Sequence, residues 1–185
     1  ISTPETLALM HEFRSKESAV MVGPNTAIMD NPSLTVRLTE GKQPLRVLLD
    51  RDLKVPTTAK LYDGNCPTLV LTKKSCEQTF PNVKFETCRF HNDGGIDYAD
   101  FFRVLYENRV ESLIVEGGRL LLQNLLDVGI GDELRVETNR TLFVGKGVEA
   151  PHFKQDESGY EKYHFQEVDD NEIVCYRKVN GLLTL

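Results

Sequence analysis

The chain has 185 residues, the size of one ordinary domain, and a chain of this length can bury a core without disulfides or metals. Hydrophobic residues make up 40% and charged residues 27%, which excludes an intrinsically disordered chain. The net charge of −6 argues against a nucleic-acid-binding surface, but it leaves room for a small anionic ligand, which needs only a few local cations.

Helices and short apolar strands alternate along the first two thirds of the chain. Ser2 as cap, Pro4 in the first turn and Glu5 predict a helix start. Continuous apolar runs are typical of strands buried on both faces, and apolar residues at three- to four-residue spacing predict helices. We expect helices from the start to about residue 16, at 96–108 and at 120–128, with a single helical turn at 26–29. We expect strands at 19–23, 45–50, 68–72, 83–88 and 112–115, and an extended segment at 34–38.

The last third of the chain predicts antiparallel strands. Residues 133–138 alternate apolar and charged side chains, and the segments 163–168 and 172–179 flank the turn signal Asp169-Asp170-Asn171. We therefore predict one three-layer αβα domain over residues 1–185, whose mostly parallel central sheet becomes mixed through these strands. Ligands of such sheets bind beyond the carboxyl ends of the strands, which selects the loops at 23–32, 50–52 and 116–119.

Membrane insertion, disulfide bonds and metal binding are not expected. No apolar run approaches the roughly 20 residues that a membrane span requires. The four cysteines show neither C-x-x-C pairing nor zinc-finger spacing, which predicts reduced thiols and a cytoplasmic protein. Because the first residue is Ile1 rather than a methionine, we expect the chain to be part of a longer polypeptide.

Two of the strand-end loops contain residues that suit a phosphorylated ligand. The run Glu116-Gly117-Gly118-Arg119 follows a strand and opens a helix, where free backbone N–H groups and Arg119 could bind a phosphate. A tight turn that requires glycine explains the same residues equally well. Asn25 and Thr26 could hydrogen-bond a cofactor, although turns favour these residue types anyway. Asp30 could do the same or could cap a turn.

Arg14 and Arg37 each end an element beside the loop at 23–32. Two converging arginines would form a phosphate clamp, whereas an arbitrary arginine is usually a solvated surface charge. Glu116 could bind the polar edge of a ring or be an ordinary loop carboxylate. The four histidines show no pairing pattern with Asp or Cys, and we interpret them as surface or core residues.

Together these pieces form an ordered pattern that closely resembles the reductase domain of the riboflavin biosynthesis deaminase–reductase. The resemblance is strong over residues 1–52 and 110–147 and loose elsewhere. The matching positions are the helix start at 1–5, Arg14, the motif of Gly23, Thr26, Asp30, Pro32 and residues 34–37, the strand end Asp50-Arg51, the turn at 115–118 and the segment 126–134.

The resemblance implies a dihydrofolate-reductase-like fold and NADPH-dependent reduction of 5-amino-6-(5-phosphoribosylamino)uracil, a phosphorylated pyrimidine, at C1′ of its opened ribose. It also implies a homodimer without nucleic-acid or membrane partners. The implied cofactor residues are Thr26, Asp30, Arg51 and the run Gly118, Arg119, Leu120, Leu121, Leu122, Gln123 and Asn124, with Asp30 beside the reacting carbons as the catalytic residue. The implied substrate residues are Arg14 and Arg37 on the phosphate, Glu116 on the pyrimidine, and Leu34.

Two alternatives remain at this level. A dihydrofolate-reductase-like paralogue acting on another pterin or pyrimidine should lack the Arg14 and Arg37 pair, and a non-catalytic domain of that fold should have lost Asp30 or Glu116. All four residues are present. The family begins with one further strand and further ligands before the position of Ile1, so we expect that strand, and any zinc deaminase domain, upstream of this chain.

Overall fold

The structure is a computed structural model that describes residues 2–153 and 159–179. Contacts divide it into two compact units: a parallel-sheet unit, His11–Gly118, and an antiparallel-sheet unit, Ile1–Met10 with Arg119–Leu185. The elements are α1 (Pro4–Lys16), β1 (Ala19–Val22), α2 (Pro24–Met29), β2 (Leu45–Leu49), a 3-10 turn (Lys60–Tyr62), β3 (Thr68–Thr72), β4 (Val83–Thr87), α3 (Tyr98–Glu107), β5 (Leu113–Gly117), α4 (Arg119–Asp127), β6 (Glu133–Asn139), β7 (Tyr160–Val168) and β8 (Asn171–Lys178).

The first helix begins one residue later than the sequence predicts. Thr3, not Ser2, caps α1, because its Oγ1 accepts the Thr6 N–H at 3.3 Å and its own N–H donates to Thr6 Oγ1 at 2.9 Å. Pro4 is then the first helical residue, where its missing N–H costs nothing. Among the described residues, no helix is long and apolar enough to cross a membrane.

The parallel-sheet unit contains five strands in the order β4-β3-β2-β1-β5, and every neighbouring pair is parallel. The apolar runs of β1 and β3 are buried at every position, as their sequences predicted. Val22, Leu48 and Val70 share one face and pack with Ala27 of α2. This core holds the carboxyl ends of the strands, and the loops that follow them, in fixed positions.

The order of the strands reverses between β1 and β5. Strands β2, β3 and β4 are added in succession on one side of β1, whereas β5 pairs with its other side. In open parallel sheets the ligand binds at such a switch point, beyond the carboxyl ends of the two strands. The loops after Val22 and Gly117 therefore mark the most favourable place for a ligand in this unit.

The antiparallel strands do not join the parallel sheet, so the expectation of a single mixed sheet is wrong for the described residues. They form a separate three-stranded sheet in the order β6-β8-β7. The predicted hairpin is present, and Asp169 has the left-handed conformation, with φ of 53°, that a tight turn requires. Alternating sequence reveals an antiparallel strand but not the sheet it joins, because its partners are chosen by long-range pairing.

Candidate active site

Arg14 and Glu116 form a two-bond ion pair at the switch point. The Arg14 Nε and Nη2 atoms each donate to a Glu116 carboxylate oxygen at 2.5 Å, and the side chains are only 12% and 9% exposed. A guanidinium and a carboxylate paired in this way have a fixed mutual orientation. The sequence interpretation placed both residues on a ligand, and in this structure Arg14 holds the Glu116 carboxylate.

A bulge in β5 sets the direction of the Glu116 side chain. Met21 pairs with Val115, but the next residue of β1, Val22, pairs with Gly117, so Glu116 is the additional residue. Bulges redirect side chains and are frequent beside active sites. No property of the sequence other than the adjacent glycines indicated this irregularity.

The segment Thr35–Arg37 is held by side chains instead of a strand partner. The Gln43 amide accepts the Val36 N–H at 2.8 Å and donates to the Val36 carbonyl at 2.7 Å. Arg14 Nη1 donates to the Thr35 carbonyl at 3.0 Å. The extended segment predicted at 34–38 is therefore not a strand, since its backbone groups are satisfied by long side chains instead of a neighbouring strand.

His11 completes this arrangement and was not singled out in the sequence. It is 3% exposed, and its Nδ1 accepts the Arg37 backbone N–H at 3.0 Å. Burial lowers the pKa of His11 below its ordinary value of 6.5, and the charges of Arg14 and Arg37 lower it further. A signal was available: His11 precedes Arg14 by three residues, so both lie on one face of α1.

Arg37 is the exposed cation of the cluster. Its guanidinium Nη1 lies 3.4 Å from Thr35 Oγ1, so both arginines reach Thr35, one at its carbonyl and one at its hydroxyl. The structure thus brings the two predicted arginines together. It gives them different surroundings, because Arg14 is bonded to Glu116 while Arg37 faces solvent.

Leu34 and Asp30 differ in their access to solvent. Leu34 is 2% exposed and packs in the apolar core, so its side chain offers no open surface to a ligand. Its φ of 51° is unusual for a residue with a β-carbon, and such local strain is frequent at functional sites. Asp30 ends α2, is exposed, and its backbone N–H donates to the Thr26 carbonyl.

Thr26 packs directly against the glycine that ends β5. A β-carbon added to Gly117 would lie 2.8 Å from Thr26 Cγ2 and 3.0 Å from its Oγ1. The Gly23 N–H donates to the Gly117 carbonyl at 3.3 Å. The loop after β1 and the end of β5 can approach this closely only because residue 117 has no side chain.

We expect Gly117→Ala to displace Thr26 and to lower the free energy of unfolding by about 1–3 kcal/mol, the usual cost of overpacking. Thermal unfolding of the purified variant measures this loss. Gly145→Ala is the matched control, because nothing lies within 4 Å of its added carbon. Equal stabilities of the two variants would contradict the close packing of Gly117 on Thr26.

A second group of charges follows β2 and β3. Asp52 accepts from Arg51 Nη2 at 2.9 Å and pairs with Lys73 Nζ at 2.8 Å. These hydrogen bonds, that from Lys73 first, lower the pKa of Asp52 to about 2. Lys74 is also exposed, whereas the neighbouring Asp50 carboxylate is buried and accepts the Lys54 and Val55 backbone N–H groups. Arg51, Lys73 and Lys74 therefore place three cations around Asp52.

The remaining predicted cofactor residues are Gly118, the last residue of the parallel-sheet unit, and residues 119–124, which belong to the antiparallel-sheet unit. Gly118 has a φ of 97°, which favours glycine, and Arg119 begins α4. The first turn of a helix has free N–H groups that suit a phosphate. Gln123 lies beyond that turn and its amide bonds both backbone groups of His152, while the Leu121 side chain is buried.

Comparison with known proteins supports the resemblance noted in the sequence. The model of the family "RibD C-terminal domain" matches residues 1–169. The chain is 37% identical over 139 residues to the riboflavin biosynthesis protein RibD of Aquifex aeolicus, covering 74% of this chain and 38% of that protein. It is 28% identical over 181 residues to the 2,5-diamino-6-ribosylamino-4(3H)-pyrimidinone 5′-phosphate reductase of Archaeoglobus fulgidus, covering 91% and 82%.

A solved structure gives the same result for the fold. The diaminohydroxyphosphoribosylaminopyrimidine deaminase/5-amino-6-(5-phosphoribosylamino)uracil reductase of Thermotoga maritima has a TM-score of 0.80 at 27% identity, covering 96% of this chain and 50% of that one. The expected α/β fold of the dihydrofolate-reductase-like type is thereby confirmed. The chain spans about two fifths of the length of the Aquifex RibD protein. With a family match over residues 1–169, the chain belongs to the RibD C-terminal domain family.

Proposed function

We propose that this protein reduces 5-amino-6-(5-phosphoribosylamino)uracil to 5-amino-6-(5-phosphoribitylamino)uracil, with NADPH as the reductant, in riboflavin biosynthesis. The observation that carries the proposal is the cluster at the switch point. A carboxylate held by Arg14 and an exposed Arg37 meet there beside the loop of Thr26 and Asp30. A substrate with a polar pyrimidine and a phosphate requires both kinds of group.

The two ends of the substrate would meet different residues. The Glu116 carboxylate, oriented by Arg14, accepts hydrogen bonds from the pyrimidine N–H groups. Arg37, the exposed cation, binds the 5′-phosphate, and Leu34 shapes the loop that carries it. Binding energy from the phosphate then aligns the distant reacting carbon.

Asp30 would act on the charge that moves during reduction. When bound, NADPH would supply a hydride to C1′ of the opened ribose in its protonated imine form, so positive charge would pass from the substrate nitrogen to the nicotinamide ring. A carboxylate beside the reacting carbons would stabilise the positive charge that develops on the nicotinamide ring in the transition state. Asp30 ends α2 and is exposed, and Thr26 would hold the cofactor one turn earlier.

The choice of NADPH is supported by the charges after β2 and β3. NADPH differs from NADH by one phosphate, and Arg51, Lys73 and Lys74 offer cations that a second anion could share with Asp52. The free N–H groups in the first turn of α4 would suit a pyrophosphate, the group that the family resemblance implies there.

We expect Lys73→Gln to raise the KM for NADPH about 10-fold while the KM for NADH stays unchanged, because one charge-assisted hydrogen bond to phosphate is lost. Steady-state kinetics with both cofactors measure the difference. Lys84→Gln removes an exposed, ion-paired lysine from the beginning of β4 and serves as the control. Equal effects of Lys73→Gln on the two cofactors would show that Lys73 does not recognise the phosphate.

The test of the proposed function is substrate-dependent oxidation of NADPH, followed by absorbance and run on this chain and on the natural polypeptide that contains it. Turnover by either protein supports the proposal. Absence of turnover in both, with folding shown by circular dichroism, would favour the paralogue or the non-catalytic domain.

Asp30→Asn is expected to lower kcat about 100-fold while the protein stays folded, since it removes only the charge that favours hydride transfer. The KM for the phosphorylated pyrimidine should change little, because Asp30 is not assigned to its binding. A wild-type kcat in this variant would remove Asp30 from the mechanism.

We also propose that the protein acts in the cytoplasm as a homodimer. Cys66, Cys76, Cys88 and Cys175 are all free, which suits a reducing compartment. Exposed apolar side chains at Phe143 and Val148 supply contact area for a second copy. Sedimentation equilibrium that gives only the monomer mass would contradict the dimer.

A further inference from the structure

The proposed phosphate-binding arginine depends on three side chains for its position. In the segment Thr35–Arg37, the Thr35 carbonyl is bonded by Arg14, both backbone groups of Val36 by Gln43, and the Arg37 N–H by His11. A strand in this place would be held by a backbone ladder that does not titrate. Here the bond at Arg37 itself is made by an imidazole, the side chain that titrates nearest to neutral pH.

We propose that His11 is the positioning residue for Arg37, and that its neutral ring is required for binding of the phosphorylated substrate. This inference rests on the proposed function, in which Arg37 binds the 5′-phosphate. His11 itself is 3% exposed and would touch neither substrate nor cofactor. It acts through the hydrogen bond that its Nδ1 accepts from the Arg37 backbone.

Protonation of His11 would break this hydrogen bond and would add charge repulsion between the ring and the Arg14 and Arg37 side chains. Nδ1 would then carry a hydrogen that faces the Arg37 N–H, so two donors would meet and the Arg37 N–H would lose its acceptor. The charged groups around the ring are Arg14 on its own helix, Arg37 on the following segment, and Glu116 on β5. Glu116 gives little compensation, because both of its oxygens already accept from Arg14.

The direction of the pKa agrees with this geometry. Burial, then Arg14 and Arg37, lower the pKa of His11 below 6.5, while Glu116 and the Thr35 backbone act in the opposite direction. In the unfolded chain the ring binds a proton near pH 6.5, so the folded state is favoured by the neutral ring above that pH. This stabilisation is lost as the pH falls below 6.5 through the lowered pKa of the folded protein.

Two substitutions distinguish loss of the hydrogen bond to Arg37 from loss of side-chain volume at position 11. His11→Gln offers a side-chain oxygen that can accept the Arg37 N–H and does not titrate, whereas His11→Leu fills the space without an acceptor. We expect His11→Leu to raise the KM for the phosphorylated pyrimidine about 10-fold with the KM for NADPH unchanged. We expect His11→Gln to restore the KM to within about 3-fold of wild type. His91→Gln, in an exposed loop, is the matched control.

The pH profile from 5 to 8 gives the second readout. In wild type, kcat/KM for the substrate should fall on the acid side, with one component that His11→Gln removes. The substrate phosphate also titrates near pH 6, but that component is common to both proteins. The same acid limb in wild type and His11→Gln, or an unchanged KM in His11→Leu, would overturn the proposal.

An NMR titration keeps this test independent of turnover. The Arg37 backbone amide should shift with a midpoint below pH 6.5 in the wild-type protein and should not titrate in His11→Gln. If the wild type shows this titration but reduces no substrate, the proposed function fails while the coupling of His11 to Arg37 stands. An Arg37 amide that does not follow His11 would overturn the positioning role even in an active enzyme.

Discussion

Replacement of Arg37 by alanine is expected to raise the KM for 5-amino-6-(5-phosphoribosylamino)uracil about 100-fold, because hydrogen bonds to charged groups contribute roughly 1.5–3 kcal/mol each. The guanidinium is exposed and makes a long hydrogen bond, 3.4 Å, to Thr35 Oγ1, so its removal should leave the fold intact. The KM for NADPH should stay within about 2-fold of wild type, since Arg37 has no proposed role toward the cofactor.

Steady-state kinetics with each ligand varied in turn measure this selectivity. Arg37→Lys is the informative companion, because lysine keeps the charge but loses the planar fork that binds phosphate through two bonds. We expect its KM to fall between wild type and Arg37→Ala. Equal losses for substrate and cofactor in Arg37→Ala would show that Arg37 does not bind the substrate phosphate.

Replacement of Arg14 by methionine is expected to lower both stability and activity. It leaves the Glu116 carboxylate, only 9% exposed, without the partner that both of its oxygens bond. Removal of one member of a buried ion pair costs roughly 3–5 kcal/mol, and we expect about 3 kcal/mol in the free energy of unfolding. The kcat/KM should fall at least about 100-fold, because the carboxylate loses its orientation.

A double variant separates the structural part of this effect from the functional part. Arg14→Met combined with Glu116→Met replaces the pair by apolar side chains of similar size, which often restores stability. We therefore expect unfolding in denaturant to return to within about 1 kcal/mol of wild type, while activity remains lost. Recovery of activity together with stability would show that Glu116 has no role toward the pyrimidine.

The sequence by itself was sufficient for the strands of the parallel sheet and for the family. Ala19–Val22 is apolar at every position and Leu45–Leu49 at all but Arg46, and strands of this composition are typically buried on both faces. The ordered motif that includes Thr26, Asp30 and Arg37 identified the family, because local turn chemistry and ligand contacts impose residue types at fixed spacing. These properties are local, and a sequence displays local constraints directly.

The tertiary structure alone decided how the site residues are connected. Nothing in the spacing of Arg14 and Glu116, separated by 102 positions, indicated that they bond each other instead of a common ligand. The bulge at Glu116, marked in the sequence only by the adjacent glycines, and the bond from the Arg37 N–H to His11 also depend on contacts between segments that are distant in the sequence. Likewise, alternation predicted β6–β8 but not their separation into a second sheet. Such features are determined by pairing between distant strands and by the requirement that buried polar groups have hydrogen-bond partners. Both act only when distant segments meet in the folded chain.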